Sequence, residues 1–225
     1  MSMKLESTPT AIDHIKTVTT TGRCFAVSWT EDNQVLVVTR AGIDLRDADL
    51  DVTRNIVKDD NIIFWSAKLF GNKLVTALNS SSERSDKLYF GNLKDPTKAV
   101  LHTEGYDGQL VYMRHPSINK HYIVHNEMTS NTLKVFSSAN ETHLFDIRLK
   151  ELEYPFCTLI ADDTVLVTDA ERGKLCKYNL SPSPDPIWTY DGLLEPSAIA
   201  VDESGFIYLA AFDTHTVHII CPEKG

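Results

Sequence analysis

The sequence predicts an all-β chain in which one small antiparallel unit repeats along the whole length. Three observations support this prediction. Short apolar runs are bounded by turn residues, these runs recur at a nearly constant interval, and windows with apolar residues every three or four positions are almost absent. A chain of repeated strand units, and not of helices, follows from these patterns.

The repeating unit is clearest near the C-terminus. Residues 198–202, 206–210 and 217–220 form three short runs rich in Val, Ile, Phe and Tyr, and polar turns separate them. Three such strands form a meander whose apolar face it cannot bury alone. The pattern therefore predicts further copies of the unit.

Two independent positions of the unit recur along the chain with the same period. The intervals between successive second-strand copies are 39, 48, 43 and 42 residues, and those between third-strand copies are 45, 45, 42 and 42 residues. The second-strand copies begin at Val35, Leu74, Tyr122, Val165 and Ile207, and the third-strand copies contain Ile43, Leu88, Leu133, Leu175 and Val217. A period of about 40–45 residues is typical of the four-stranded antiparallel blades of a β-propeller.

The order of the strands predicts one propeller domain over residues 14–225, preceded by a polar and flexible segment at 1–13. The last copy has three strands, so we expect the strand at 14–20 to complete that blade and close a ring of five. The alternative is a six-bladed propeller that lacks its last blade. Inner strands are expected at residues 25–29, 63–67, 110–114, 156–160 and 198–202.

The last copy resembles the NHL repeat. Its pattern Pro-x-x-Ile-Ala-Val-Asp-x-x-Gly-x-Ile-Tyr covers residues 196–208, and residues 165–169 with 173–175 are similar, with Asp169 at the position of a family Asp. The chain as a whole resembles the C-terminal propeller of tripartite-motif-type proteins. This resemblance implies a propeller, usually six-bladed, that in some members binds RNA through a basic face. The sequence contains no ring finger, B-box or coiled coil, so no ubiquitin-ligase activity is implied.

Composition narrows the class of partner and the compartment. The net charge is −9, and the 22 Lys and Arg residues are scattered, which argues against a nucleic-acid surface, although a locally positive face would still allow one. No apolar run approaches about 20 residues and the N-terminus lacks the apolar core of a signal peptide, so we expect a cytoplasmic chain with no membrane role. The four cysteines have no CxxC spacing and are expected to be buried free thiols.

The search for chemistry predicts no enzyme, no cofactor and no metal. The motifs of serine hydrolases, phosphate-binding loops and zinc proteases are absent. The acidic run at 47–51 lacks the Gly and Glu of a calcium loop, since Val52 and Lys58 stand there, and is expected to be a solvated turn. Two further sets are expected to have structural roles: the histidines on an outward strand face (His115, His121, His125 and His143), and side chains that bond loop backbone instead of calcium (Asn126, Asp169 and Asp213).

The remaining function is recognition by loops. In a propeller the loops between second and third strands (39–42, 79–86, 126–131, 169–173 and 211–215) gather with the links between blades (59–61, 104–109, 150–154 and 191–196) on one face. The candidate partner-binding residues there are Arg40, Arg84, Tyr106, Tyr154, Arg172 and His215. We therefore expect a monomeric, non-enzymatic scaffold that binds a protein or peptide. The alternatives are an RNA-binding propeller and a calcium-dependent, lactonase-like hydrolase.

Overall fold

The computed structural model describes residues 20, 23–40, 42–58, 62–80, 86–93, 100–102, 115–127, 131–149, 151–182 and 184–221. Every regular element within these ranges is a β-strand, and the 19 strands form five antiparallel sheets. The chain is a five-bladed β-propeller, which confirms the predicted fold class.

Each blade uses consecutive strands in chain order. Blade one contains β1 (Cys24–Trp29), β2 (Val35–Thr39), β3 (Gly42–Arg46) and β4 (Val52–Lys58). Blade two contains β5 (Ile62–Phe70), β6 (Lys73–Ser80), β7 (Asp86–Asn92) and β8 (Val100–His102). Blade three contains β9 (Ser117–Ile118), β10 (Tyr122–Glu127), β11 (Thr132–Ser137) and β12 (His143–Arg148). Blade four contains β13 (Pro155–Ala161), β14 (Thr164–Asp169), β15 (Lys174–Asn179) and β16 (Pro186–Tyr190), and blade five contains β17 (Pro196–Val201), β18 (Ile207–Ala211) and β19 (Thr216–Ile220).

The core lies between consecutive blades, and residues of the second and third strands contribute to it. Between blades one and two, Leu36 and Ile43 pack with Phe64, and between blades three and four, Ile147 packs with Tyr178. Two further clusters join blades two to three and four to five. Each second strand lies between two other strands of its own sheet. In β2 both faces are buried, so the strand is a continuous apolar run instead of an alternating one.

Two sequence predictions about strand positions concern parts of the chain beyond the described residues. Residues 110–114, where the inner strand of blade three is expected, are outside the described residues, and in the structure the inner strand of this blade is β9. Of the strand expected at 14–20, only Thr20 is among the described residues, and it is not in a strand. Blade five has three strands in the described part of the chain, so its completion by the N-terminal segment stays a prediction.

Candidate functional site

One end of the propeller, called the loop face below, is formed by the turns between second and third strands and by the links that enter each blade. Backbone hydrogen bonds join these two kinds of segment in three blades. The donors and acceptors are Arg40 N–H to Arg23 O at 2.9 Å, Ala170 N–H to Tyr154 O at 3.2 Å, and Phe212 N–H to Glu195 O at 3.0 Å. Each turn therefore lies beside the residue that precedes the inner strand of its own blade. In blades four and five, the turn therefore lies beside the incoming link, as the sequence predicts.

The loop face of blade four is fixed by the carboxylate of Asp169, which is fully buried. This carboxylate accepts hydrogen bonds from the backbone N–H groups of Glu153 at 2.5 Å, Tyr154 at 3.3 Å, Glu171 at 3.0 Å and Arg172 at 3.0 Å. Two of these residues belong to the incoming link and two to the turn. One side chain thus joins both segments, and a buried ion is tolerated because four donors replace its water.

The end of β10 is fixed in a similar way by Asn126, which is also fully buried. Its Nδ2 donates to Pro155 O at 2.5 Å and to Phe156 O at 3.2 Å, so it joins blade three to blade four. Asp213, the third member of the set considered as calcium ligands, is exposed in the turn after β18. The prediction that Asn126 and Asp169 bond backbone is confirmed. Within the described ranges, no three His, Cys, Asp or Glu side chains are grouped so as to hold a metal ion.

The inner strands of four blades share an irregularity in their pairing with the second strands. The pairing of inner and second strands is interrupted near the loop face in four blades, between Cys24 and Ala26, Phe64 and Ser66, Pro155 and Thr158, and Pro196 and Ala198. A β-bulge of this kind redirects the extra residue out of the sheet pattern. The residues at these bulges include Phe25, Trp65 and Phe156, so three blades present an aromatic ring at equivalent positions.

Phe25 and Trp65, but not Phe156, line a concave pocket of about 420 Å³. Its walls come from the start of three blades, and we call it the channel-mouth pocket: Arg23, Phe25, Arg40, Ile63, Trp65 and His115. The rings of Phe25 and Trp65 are 5.1 Å apart, and the guanidinium of Arg23 lies 5.7 Å from the centre of the Phe25 ring. The volume is in the range of pockets that bind small ligands or a few side chains, about 300–1,000 Å³.

His115 is held at the pocket by its backbone. Its φ of 58° is in the left-handed region, where histidine is uncommon but tolerated. The N–H of His115 donates to Ser66 Oγ at 3.0 Å, and Thr158 Oγ1 donates to the carbonyl of His115 at 3.1 Å. The imidazole ring lies 5.9 Å from the ring of Phe156. Contacts to blades two and four therefore fix the position of this residue between them.

The two pocket arginines differ from most other arginines in the described part of the chain. Arg46 pairs with Asp44, Arg54 donates to the Leu93 carbonyl, and Arg172 pairs with Glu153. Neither Arg23 nor Arg40 forms an ion pair with a described residue, and both are exposed. The pocket therefore presents two guanidinium groups beside aromatic rings in a protein whose net charge is −9.

Farther along the inner strands, burial changes the ionisation of two groups. Burial lowers the pKa of Lys68 in β5, and the nearby Cys157 acts in the opposite direction. Burial also raises the pKa of the Cys157 thiol to about 11. Lys68 and Cys157 are on the inner strands of different blades, so the channel interior next to them is a poor environment for charge.

The predicted partner-binding residues are distributed unevenly over the loop face. Arg40 lines the channel-mouth pocket, and His215 is exposed in the turn before β19. Tyr154 and Arg172 lie at the Asp169 cluster, where Arg172 Nε donates to Glu153 Oε2 at 3.0 Å. Arg84 and Tyr106 lie outside the described residues. Sequence reasoning missed Arg23, Phe25, Trp65 and His115, although an aromatic residue near the start of three inner strands was a usable signal.

Two sequence predictions about buried groups are wrong in part. His125 was expected on an outward face, but it is buried and its ring stacks on Phe136, with 6.0 Å between centroids, because β10 is covered on both sides. None of the four cysteines forms a disulfide, but Cys24 and Cys221 are exposed, because Cys24 begins β1 and Cys221 follows β19.

No protein-family model matches the chain, and no curated protein sequence matches it. Among solved structures, one of a nidogen–laminin complex has a TM-score of 0.71 at 12% identity, over 88% of this chain and 75% of that one. Virginiamycin B lyase from Staphylococcus aureus, with quinupristin, has a TM-score of 0.67 at 8% identity, over 92% and 70%. Regucalcin from Agrobacterium tumefaciens, a calcium-binding protein, has a TM-score of 0.63 at 10% identity, over 83% and 67%. At these identities the likeness establishes the fold alone.

These comparisons correct one expectation from the sequence. The absence of known catalytic motifs and the propeller fold were used to predict that the chain is not an enzyme. That prediction is contradicted, because lyases are among the solved structures with the same fold. Because one fold can host unrelated functions, the propeller fold does not by itself exclude catalysis. As for membranes, no helix in the described part of the chain is long and apolar enough to cross one.

Proposed function

We propose that the loop face binds a protein or peptide partner, with the propeller as its rigid support. The observation that carries this proposal is the channel-mouth pocket, a concave site with adjacent aromatic rings and two arginines that form no ion pair with a described residue. Trp, Tyr and Arg dominate the binding energy of protein interfaces when they line pockets of this kind. The proposal includes the NHL assignment, a cytoplasmic location and a monomeric state.

Rigidity of the surrounding loops supports the same proposal. Asp169 and Asn126 fix the entry of blade four, and Gly173 closes the turn before β15 with a φ of 63°. A Cβ at position 173 would lie 2.1 Å from Leu193 O, so only glycine fits there. A surface that is already ordered loses little conformational entropy when it binds, which favours affinity.

The test is a peptide selection with matched variants. Random peptides displayed on phage are selected on the whole chain, and the affinity of the selected sequences is measured by fluorescence anisotropy. Substitution of Arg40 and His215 by Ala on the loop face should weaken binding about tenfold or more. Substitution of Lys120 and His121 by Ala, in the exposed turn between β9 and β10 at the opposite end, should leave it unchanged. Equal weakening by both pairs, or selection of nothing above background, would contradict the proposal.

A further inference from the structure

The chemistry of the channel-mouth pocket points to a narrower class of ligand. We infer that it binds the carboxylate of an acidic side chain of the partner, next to an apolar or aromatic side chain of the same peptide. This inference rests on the proposed function and deepens it. It depends on the positive charge of the pocket, on its apolar wall and on the small number of cations on the described loop face.

The charge of the pocket is positive and is not neutralised from within the described part of the protein. Arg23 and Arg40 come from different segments, the residue before β1 and the turn after β2. A hydrogen bond of 2.9 Å from Arg40 N–H to Arg23 O holds the two backbones together, so the two guanidinium groups start from adjacent positions. Two adjacent guanidinium groups suit a planar, two-oxygen anion because each offers a fork of N–H donors.

The apolar wall beside these arginines favours a peptide over a free ion. Phe25 and Trp65 are tilted against each other at 56° and together with Ile63 form one side of the cavity. A side chain adjacent to the bound carboxylate would bury its apolar surface against these rings. An anion alone would leave this wall in contact with water, which forgoes the hydrophobic contribution of about 25 cal/mol per Å².

The same features argue for a peptide rather than RNA. RNA binding relies on many phosphate contacts along a continuous basic surface. The described loop face offers only a few cations, and Arg172 is already paired with Glu153. A single pocket with two arginines matches one or two negative charges, as in an acidic peptide.

The experiment uses fluorescent hexapeptide pools that each contain one Trp or Tyr and have an amidated C-terminus, so that only side chains supply a carboxylate. The acidic pool carries Asp or Glu beside the aromatic residue, the amide pool carries Asn or Gln there, and a third pool carries phosphoserine. A single-stranded uridine dodecamer is the RNA probe. Anisotropy titrations are made with the whole wild-type chain, with Arg40→Gln, and with Arg148→Gln. Arg148 is the matched control, because it is exposed on the outer strand β12, away from the pocket, and forms no ion pair with a described residue.

We expect the acidic pool to bind wild type about tenfold more tightly than the amide pool, since charge-assisted hydrogen bonds are the stronger kind. Arg40→Gln should reduce this preference about tenfold, and Arg148→Gln should preserve it. A preference for phosphoserine over both other pools would assign the pocket to a phosphate and overturn the carboxylate inference.

Other outcomes separate this inference from the proposed function. Equal binding of acidic and amide pools, with weakening by the loop-face pair Arg40 and His215, would overturn the carboxylate inference and leave peptide binding in place. Equal effects of Arg40→Gln and Arg148→Gln would also overturn it. Tighter binding of the uridine dodecamer than of any peptide, or no binding of any pool, would overturn both.

Discussion

His125 makes the stability of the propeller sensitive to mild acid. It lies in β10 with 3% of its surface exposed, its ring stacks on Phe136 at 6.0 Å, and its Nδ1 lies 3.2 Å from the carbonyl oxygen of Asn126. Burial lowers the pKa of His125 to about 4, because the imidazolium would lose its hydration. The neutral ring is therefore the form that the fold accommodates.

Neighbouring charges adjust this pKa without reversing its direction. The Asn126 carbonyl and the carboxylate of Asp146 raise it, whereas Lys134, directly opposite in β11, and His143 lower it. Asp146 lies 2.7 Å from His143 Nε2 and 3.9 Å from Lys134 Nζ. Desolvation is the largest of these effects and decides the direction of the shift.

The magnitude follows from the difference between the folded and unfolded pKa values. An unfolded histidine has a pKa of about 6.5, so between about pH 6.5 and pH 4 the unfolded chain binds a proton that the folded chain refuses. The free energy of unfolding therefore falls as the pH falls through this window. With a folded pKa of about 4, the loss between about pH 7 and pH 4.5 is about 2 kcal/mol from this residue.

The assay is urea denaturation of the wild type and of His125→Gln at about pH 7 and pH 4.5. Carboxylates elsewhere contribute equally to both proteins. The loss of unfolding free energy between the two pH values in wild type, minus the same loss in His125→Gln, is therefore the contribution of the histidine. Wild type should lose about 2 kcal/mol more than His125→Gln. His121→Gln, at an exposed histidine directly before β10, should behave as wild type. An equal loss in wild type and His125→Gln would refute the reasoning.

Three further predictions concern other buried groups. Asp169→Asn should lower the free energy of unfolding by about 2–4 kcal/mol in urea denaturation, because an amide cannot accept all four N–H groups. The control Asp213→Asn, at an exposed position, should change it by less than about 0.5 kcal/mol. Equal effects of the two substitutions would contradict the role of Asp169. Lys68→Met should raise thermal stability near pH 7 and raise it less near pH 10. Burial lowers the pKa of Lys68, so the cost of burying its charge is largest near pH 7 and decreases as the amine loses its proton. A gain that does not depend on pH would contradict the lowered pKa. Cys157 should resist an aromatic disulfide reagent near pH 8 while exposed Cys24 reacts, because burial raises the pKa of Cys157. Mass spectrometry after labelling measures both reactions. Modification of the two cysteines at the same rate would contradict the prediction.

The fold could be predicted because the propeller places its most apolar strands in the most buried positions. β2 is buried at every residue, and β14 at all but its first. Such continuous runs appear at one interval in every blade, so the sequence showed both the strand and the period. The acidic turn at 47–51 could also be predicted, because Asp47 Oδ1 accepts the Asp51 N–H at 2.9 Å in a local turn that needs no tertiary partner.

The pocket could not be predicted because it depends on register. Phe25 and Trp65 look like ordinary strand residues, and only the interrupted pairing beside them turns them toward the channel mouth. Arg23 lies before a strand and not in a loop that the repeat alignment identified. His115 was assigned to an outward strand face, but its backbone is fixed between blades two and four. Contacts between distant blades determine such positions, and a single sequence does not reveal them.

Charge reversal at Arg40 tests the central claim, that the channel-mouth pocket reads the charge of a peptide. The affinities of wild type and Arg40→Glu are measured for the acidic pool and for a pool with Lys in place of Asp or Glu. The pocket as described predicts that wild type prefers the acidic pool and that Arg40→Glu loses or inverts this preference. An unchanged preference for the acidic pool in Arg40→Glu would contradict the claim.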